Sequence, residues 1–171
     1  MIDISFQGAT LAINCPLLGG DGRGNIVLEF SEEGTPVDFP DLETVGYAMT
    51  MNGELVTWTK PAPITFRLTV IPGSASDGKL RKLLYAGHVG GRRGHAIDQA
   101  SVIISSATLT VPSIYTAGEI NSTANAAGKM TFEFKNGRLT GGNPAIGSNA
   151  EGKMTARTYN FVFESIAQSN S

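Results

Sequence analysis

Ile64-Thr-Phe-Arg-Leu-Thr-Val-Ile71, followed after Pro72-Gly73 by Ser74-Ala-Ser-Asp77-Gly-Lys-Leu80-Arg-Lys-Leu83-Leu84, is the stretch that decides the fold. Its first half alternates Ile64, Phe66, Leu68 and Val70 against Thr65, Arg67, Thr69 and Ile71, the period-2 pattern of a half-buried strand. The second half changes period. Ser74 or Ser76 is placed to cap a helix, Asp77 falls in its first turn, and Leu80, Leu83 and Leu84 follow helical spacing. Lys79, Arg81 and Lys82 lie off the leucine stripe, and Gly87 is placed to stop the helix. A helix near Ser76–Ala86 with so narrow a stripe has to pack on a sheet through Leu80, Leu83 and Leu84.

Outward from this point the chain reads as β-structure. Met1–Phe6, Ala9–Ile13 and Ile26–Phe30 are short apolar runs, separated by the glycine-rich loop Asn14–Asn25. Ser31–Thr44 carries two prolines and five acids and reads as an exposed loop. Val45–Met51 and Leu55–Lys60 flank Asn52-Gly53, a strong hairpin signal. Ser101–Val111 and Ile114–Ile120 are further strand candidates. Lys129–Lys135 alternates and ends at Asn136-Gly137, which repeats the hairpin signal. Thr155–Ile166 sets Tyr159, Phe161 and Phe163 on one face. Trp58, inside an alternating run, is expected in the core. About ten strands and one flanking helix predict a mainly β single domain over residues 1–171, a β-sandwich or barrel.

Composition agrees. The chain has 171 residues, of which 41% are hydrophobic, 16% are charged and 21 are glycine. Glycine at about 12%, against a usual ~7%, belongs mainly in turns. Mean hydropathy of -0.01 excludes a disordered composition. The net charge of -2 gives no general pull towards nucleic acid or anionic lipid. Cys15 stands alone, which excludes a disulfide framework, and two histidines leave little for a metal site. No run of about 18 apolar residues predicts a membrane span, and the first residues lack the pattern of a secretory leader. The expectation is a protein made in a reducing cytoplasm.

Motifs for chemistry fail on context. Gly147-Ser-Asn-Ala-Glu-Gly152-Lys153 fits the start of a phosphate-binding loop, but Met154 stands where magnesium needs Ser or Thr, and a strand follows where a helix is required. Gly20-Asp-Gly22-Arg-Gly24 leads into a strand, unlike a dinucleotide fingerprint. His88 and His95 lie in a Gly/Arg-rich loop without a nucleophile elbow around Ser101. Asn125–Thr131 recurs as Asn149–Thr155 with six of seven residues matching, which reads as two similar strand entries. No catalytic, cofactor-binding or metal-binding residues are predicted, and no enzymatic activity.

Charge is segregated. Between Gly24 and Thr59 lie seven acids and no base; between Lys79 and Arg93 lie five bases and no acid. Separate acidic and basic elements suit head-to-tail association of copies. Glu32, Glu33, Asp38, Asp41, Glu43, Arg92 and Arg93 are the predicted contact residues between subunits.

From Val45 to about Ala167 the layout resembles phage tail tube proteins and the related hemolysin-coregulated tube proteins of type VI secretion. The residues that carry it are the hairpin Gly46-Tyr-Ala-Met-Thr-Met-Asn-Gly-Glu-Leu-Val56, the strand-to-helix stretch quoted first, and the closing strand through Phe161-Val-Phe163. The resemblance implies homo-hexameric rings stacked into a tube, with tail sheath and baseplate proteins as partners. It implies DNA passing through the lumen without specific binding, no cofactor, no membrane, and a place in the virion tail after assembly in the host cytoplasm. Alternatives are a tube-like baseplate or tail-completion protein, or a type VI secretion tube protein. A carbohydrate-binding sandwich and an enzyme are the competing classes.

Overall fold

The computed structural model describes residues 2–4, 9–18, 23–27, 36–87, 99–111, 114–116, 130–145, 147–148 and 150–170. Its centre is a seven-stranded antiparallel sheet that curls over a single helix. The strands in chain order are β1 (Ile2–Ile4), β2 (Thr10–Asn14), β3 (Arg23–Val27), β4 (Val37–Asp38), β5 (Val45–Met49), β6 (Leu55–Thr59), β7 (Ile64–Val70), β8 (Ile104–Val111), β9 (Ile114–Thr116), β10 (Met130–Gly142) and β11 (Arg157–Asn170). The main sheet runs β3-β2-β8-β10-β11-β7-β4, while β1 pairs with β9 and β5 with β6 as separate ribbons. The helix α1 spans Ala75–Gly87.

The β7–α1 stretch folds as its two periods dictate. Phe66, Leu68 and Val70 face the core, and Leu80 and Leu83 enter the same core from the helix, all nearly inaccessible; Leu84 packs half-buried at the margin. Ser74 is the N-cap: its hydroxyl accepts from the Asp77 amide at 3.2 Å. The Asp77 carboxylate accepts from Gly73 N–H at 3.0 Å, and Gly73 turns the chain at φ 84°. The other carboxylate oxygen reaches the sheet. Tyr159 donates its hydroxyl to Asp77 Oδ1 at 2.7 Å, and Arg157 donates an NH1 proton to the same oxygen at 3.3 Å. All three side chains are at most 2% exposed. Arg157 extends inward the alternation that Tyr159, Phe161 and Phe163 began, so β11 offers both apolar and polar partners to the helix.

A second constraint bends the sheet. Asn136-Gly137 does not close a hairpin: β10 continues through it to Gly142, paired with β8 on one side and β11 on the other. The turn comes only after Gly142, where the chain loops back to Arg157. Asn136 has φ 52°, and its side chain donates to Glu164 on β11 at 2.8 Å. The inward face changes parity at this level. On β8 Ile104 is buried, then two residues intervene before Ala107, Leu109 and Val111 resume; on β10 Phe134 is buried on one side of Asn136 and Leu139 on the other. The bend is a corner at which strands turn without breaking their ladder. A Cβ on Gly137 would meet the Phe163 ring at 2.2 Å, so the glycine is where that ring lies down on the strand. Phe66, Phe161 and Phe163 stack around the corner and Phe134 meets Phe66 and Phe163 at a tilt, with centroid distances of 5.0 to 6.3 Å.

Other expectations shift at their edges. The Asn14–Asn25 loop contains a one-turn 3-10 segment, Pro16–Leu18, and the start of β3. The strand expected from Ser101 begins at Ile104, after a 3-10 turn at Gln99–Val102. The first copy of the internal echo, from Asn125 to Lys129, lies outside the described residues.

Two stability tests follow from these contacts. Leu83→Asp should lower unfolding free energy by several kcal/mol, since it buries an unpaired carboxylate. Gly137→Ala should cost about 1–3 kcal/mol by forcing Phe163 off the strand. Denaturant titration of each variant reads the loss directly.

Candidate assembly surface

The hairpin β5–β6 stands apart from the core. Its register pairs Val45 with Thr59, Tyr47 with Thr57 and Met49 with Leu55, so Tyr47, Met49 and Leu55 share one face. Gly46 pairs with Trp58 and Ala48 with Val56, which gives the other face. The Trp58 indole covers Gly46 so closely that a Cβ there would meet the ring at 2.3 Å. The tip closes at Asn52-Gly53 with Gly53 at φ 80° and the Gly53 amide bonded to Thr50 O. The period-2 pattern is correct, but the assignment of Trp58 to the core is not: Trp58 is 52% exposed, Tyr47 74%, Met49 65% and Leu55 63%. Both faces are apolar, and among the described residues neither packs on the body of the chain.

The hairpin's root is stiff. Lys60 N–H donates to Thr44 O at 2.8 Å, extending the ladder by one step. Outside it the Lys60 ammonium donates to Glu43 Oε2 at 2.7 Å, and this bond, then the charge itself, hold the Glu43 carboxyl below its ordinary range. Pro61 and Pro63 then fix the return to β7.

Beside the root lies a groove of about 250 Å³. Its lining comes from Phe39, Leu42, Pro63, Ile64, Phe132 and Ile166, with Asp41 and Thr65 among the few polar groups. It exists because β4 is only two residues long. Val37 and Asp38 pair with Leu68 and Arg67, and Pro36 O accepts from the Thr69 amide; the chain then leaves the edge of β7 at Phe39-Pro40. Phe39 closes one end through a tilted contact with Phe66 at 5.4 Å and a stacked one with Phe134 at 6.0 Å.

Of the predicted contact residues, Asp38, Asp41 and Glu43 are exposed on this same side, and Glu43 is engaged by Lys60. Glu32, Glu33, Arg92 and Arg93 lie outside the described residues, as do His88 and His95. The phosphate-loop lookalike is a tight turn. Ser148 bridges Met154, Thr155 N–H donates to Gly147 O at 3.0 Å, and Gly152 takes φ 77°. A strand follows it. Cys15 is buried, its thiol donates to Ser101 O at 3.1 Å, and burial pushes its pKa up, which opposes the thiolate a nucleophile needs. Among the described residues no cluster of His, Cys, Asp and Glu has the makings of a metal site, and no helix is long and apolar enough to cross a membrane.

The sequence missed two features that matter here. The groove arises from a two-residue strand and a departing proline, which leave no periodic signature. Arg157 gave no signal of its own, although the inward alternation of Tyr159, Phe161 and Phe163 reaches it when extended by one step.

The buried cluster at α1 supports two measurements. Removing the carboxylate with Asp77→Ala strands the Arg157 charge and should cost about 3–5 kcal/mol; adding Arg157→Met to that variant should recover part of it. Tyr159, held neutral by burial first and by its bond to Asp77 second, against the opposing pull of Arg157, is pushed from 10.0 up to about 12. The fold favours the neutral phenol. That contribution is therefore complete below pH about 10 and is lost as pH rises from there to about 12. Phenolate absorbance compared between the wild type and Tyr159→Phe isolates the titration, and urea melts across the same window read the loss of stability.

The fold has relatives among contractile injection machines. A chain from the sheath–tube complex of an extracellular contractile injection system, PVC, in its extended state is 10% identical, covers 99% of this chain and 93% of its own, and superposes with a TM-score of 0.54. The tube-terminating cap of the anti-feeding prophage is 9% identical, covers 99% and 92%, and gives 0.51. At this identity the likeness is one of fold, and it matches the tube-type layout of a curled sheet with one flanking helix. No curated protein matches the chain by sequence. A family model described as tail fiber protein gp32 matches residues 3–123, most of the length and including the β5–β6 hairpin, β7 and α1, so the chain belongs to that family of tail proteins.

Proposed function

We propose that this protein is a structural subunit of a phage tail whose copies close into hexameric rings and stack along the tail-tube axis, with DNA passing through the lumen. The observation that carries the reading is the hairpin: an apolar two-stranded arm on a tube-type fold, exposed on both faces and held away from its own core. An isolated two-stranded ribbon is marginal in water, so such an arm is a surface waiting for another chain. The sheet adds a second reason. Among the described residues it ends at β3 and β4 without closing on itself, and ring formation covers such edges.

In this reading the protein is not an enzyme and takes no cofactor. Its near-neutral charge lets DNA slide, since holding phosphates requires clustered Lys and Arg. Sheath and baseplate proteins are its partners, and the virion tail is its place after assembly in the host cytoplasm. One observation favours a second position. The family description is that of a tail fiber protein, which suits a tube-like ring at the baseplate or tail end, where fibres are carried, in preference to the repeating body of the tube.

Light scattering of the purified protein should give particles of six times the 18.0 kDa chain, and negative-stain images should show rings. A chain monomeric at high concentration refutes the reading. Antibody labelling of intact tails separates the two positions, as decoration along the tube or at one end. The segregated charges give a further expectation. Arg92→Glu with Arg93→Glu should block stacking and leave the fold intact, and Glu32→Lys with Glu33→Lys in the same chain should restore part of it. Because single exposed pairs contribute about 0–1 kcal/mol, the effect should weaken steeply with added salt.

A further inference from the structure

Two unpartnered apolar surfaces lie on this one chain, and they differ in shape. One protrudes: the hairpin face of Tyr47, Met49 and Leu55. The other recedes: the groove between the departing Phe39–Leu42 segment and the edge of β7, floored by Phe132 and Ile166. We propose that the groove receives the hairpin of a second copy of this chain, so that each subunit inserts the Tyr47–Met49–Leu55 face into its neighbour and accepts the same face from another. The inference rests on the self-assembly reading and names the surfaces that perform it.

Three observations lead to this occupant. The groove, at about 250 Å³, is smaller than the roughly 300–1,000 Å³ of a typical small-molecule pocket, and its lining offers few polar groups to orient a ligand. Protruding apolar side chains suit it better. The hairpin cannot fill the groove of its own chain. Two residues separate Leu42 from Val45 and three separate Thr59 from Pro63, and this short root is held by the Lys60–Thr44 bond, the Lys60–Glu43 ion pair, Pro61 and Pro63. The groove also borders an incomplete sheet edge. β4 pairs only with Arg67 and Leu68, so the stretch of β7 beginning at Ile64 lies beyond its ladder, where an incoming strand finds a backbone to run against. Protrusion and recess are different surfaces of one molecule, so the contact is heterologous. It propagates from copy to copy until the rotation closes a ring.

Complementation tests it. One variant disables the hairpin, Tyr47→Lys with Met49→Lys; the other disables the groove, Leu42→Lys with Ile166→Lys. All four positions are at least 40% exposed, so thermal melting should stay near that of the wild type. Should the groove pair unfold, Leu42→Lys alone takes its place. Each variant alone should lose assembly by light scattering, while an equimolar mixture should form a 1:1 dimer that grows no further, because only one intact hairpin and one intact groove remain. If the groove variant assembles as the wild type does while the hairpin variant does not, the hairpin docks elsewhere; the proposal fails and self-assembly stands. If both variants are blocked and the mixture stays monomeric, the two surfaces do not meet and the proposal fails likewise. If the wild type itself stays monomeric at the highest concentration reached, both the proposal and the reading beneath it fall.

Discussion

Asp77 holds the helix to the sheet, and much of the architecture is arranged around that carboxylate. It lies in the first turn of α1, where the helix dipole favours negative charge. There it accepts from the Gly73 amide and, through its other oxygen, from Tyr159 and Arg157 of β11. Burying such a pair gives little net stabilisation, because desolvation offsets most of the attraction. What it adds is register. Leucines at 80, 83 and 84 would pack almost as well with the helix slid along the sheet, whereas Asp77 meets both partners at one position only. The Arg157 Nε–H lacks a protein acceptor, a cost the folded cluster carries and one that replacing the ion pair with apolar side chains would remove.

The corner at Asn136 is the second constraint, and it links the core to the surface. Because β8, β10 and β11 bend together, the Phe134 and Phe163 rings meet in a tilted contact across the bend at 5.3 Å although their parities differ. Beyond it, β10 and β11 turn Phe132 and Ile166 towards the sheet's margin, where both line the groove. A straight sheet with the same ladder would have put Phe132, Phe134 and Ile166 on the face opposite Phe66, Phe161 and Phe163. The groove is thus a consequence of the corner as much as of the short β4.

The two Asn-Gly dipeptides show how far the sequence could be read. At Asn52-Gly53 the flanking strands have no other neighbour among the described residues, so the local preference for a tight turn prevails. At Asn136-Gly137 the same two residues are flanked by strands on both sides, and the long-range ladders override that preference, leaving it only a positive φ and a bend. Trp58 is a similar case. Alternation records that a strand has an apolar face but not whether the chain's own body covers it, so an apolar face left open, like that of Trp58, looks like core. The strand-to-helix stretch at Ile64–Leu84 was legible because both its periods are satisfied inside one chain. The groove was not, since its walls come from Phe39–Leu42, Pro63–Thr65, Phe132 and Ile166, joined only by tertiary structure.

The placement of hairpin and groove bears on how an assembly of this protein would be controlled. Both spring from one root, the Glu43–Lys60 pair with its flanking prolines. A contact that shifts Phe39–Leu42 therefore acts on the acceptor surface and, three residues later, on the origin of the donor arm. In the docking proposed above, an occupied groove packs a neighbour against the segment that leads into the hairpin, so the donor arm then springs from a base already held on both sides. Such coupling favours growth from an existing end over the pairing of free subunits. It asks for no conformational switch, only for donor and acceptor to share a short, stiff base.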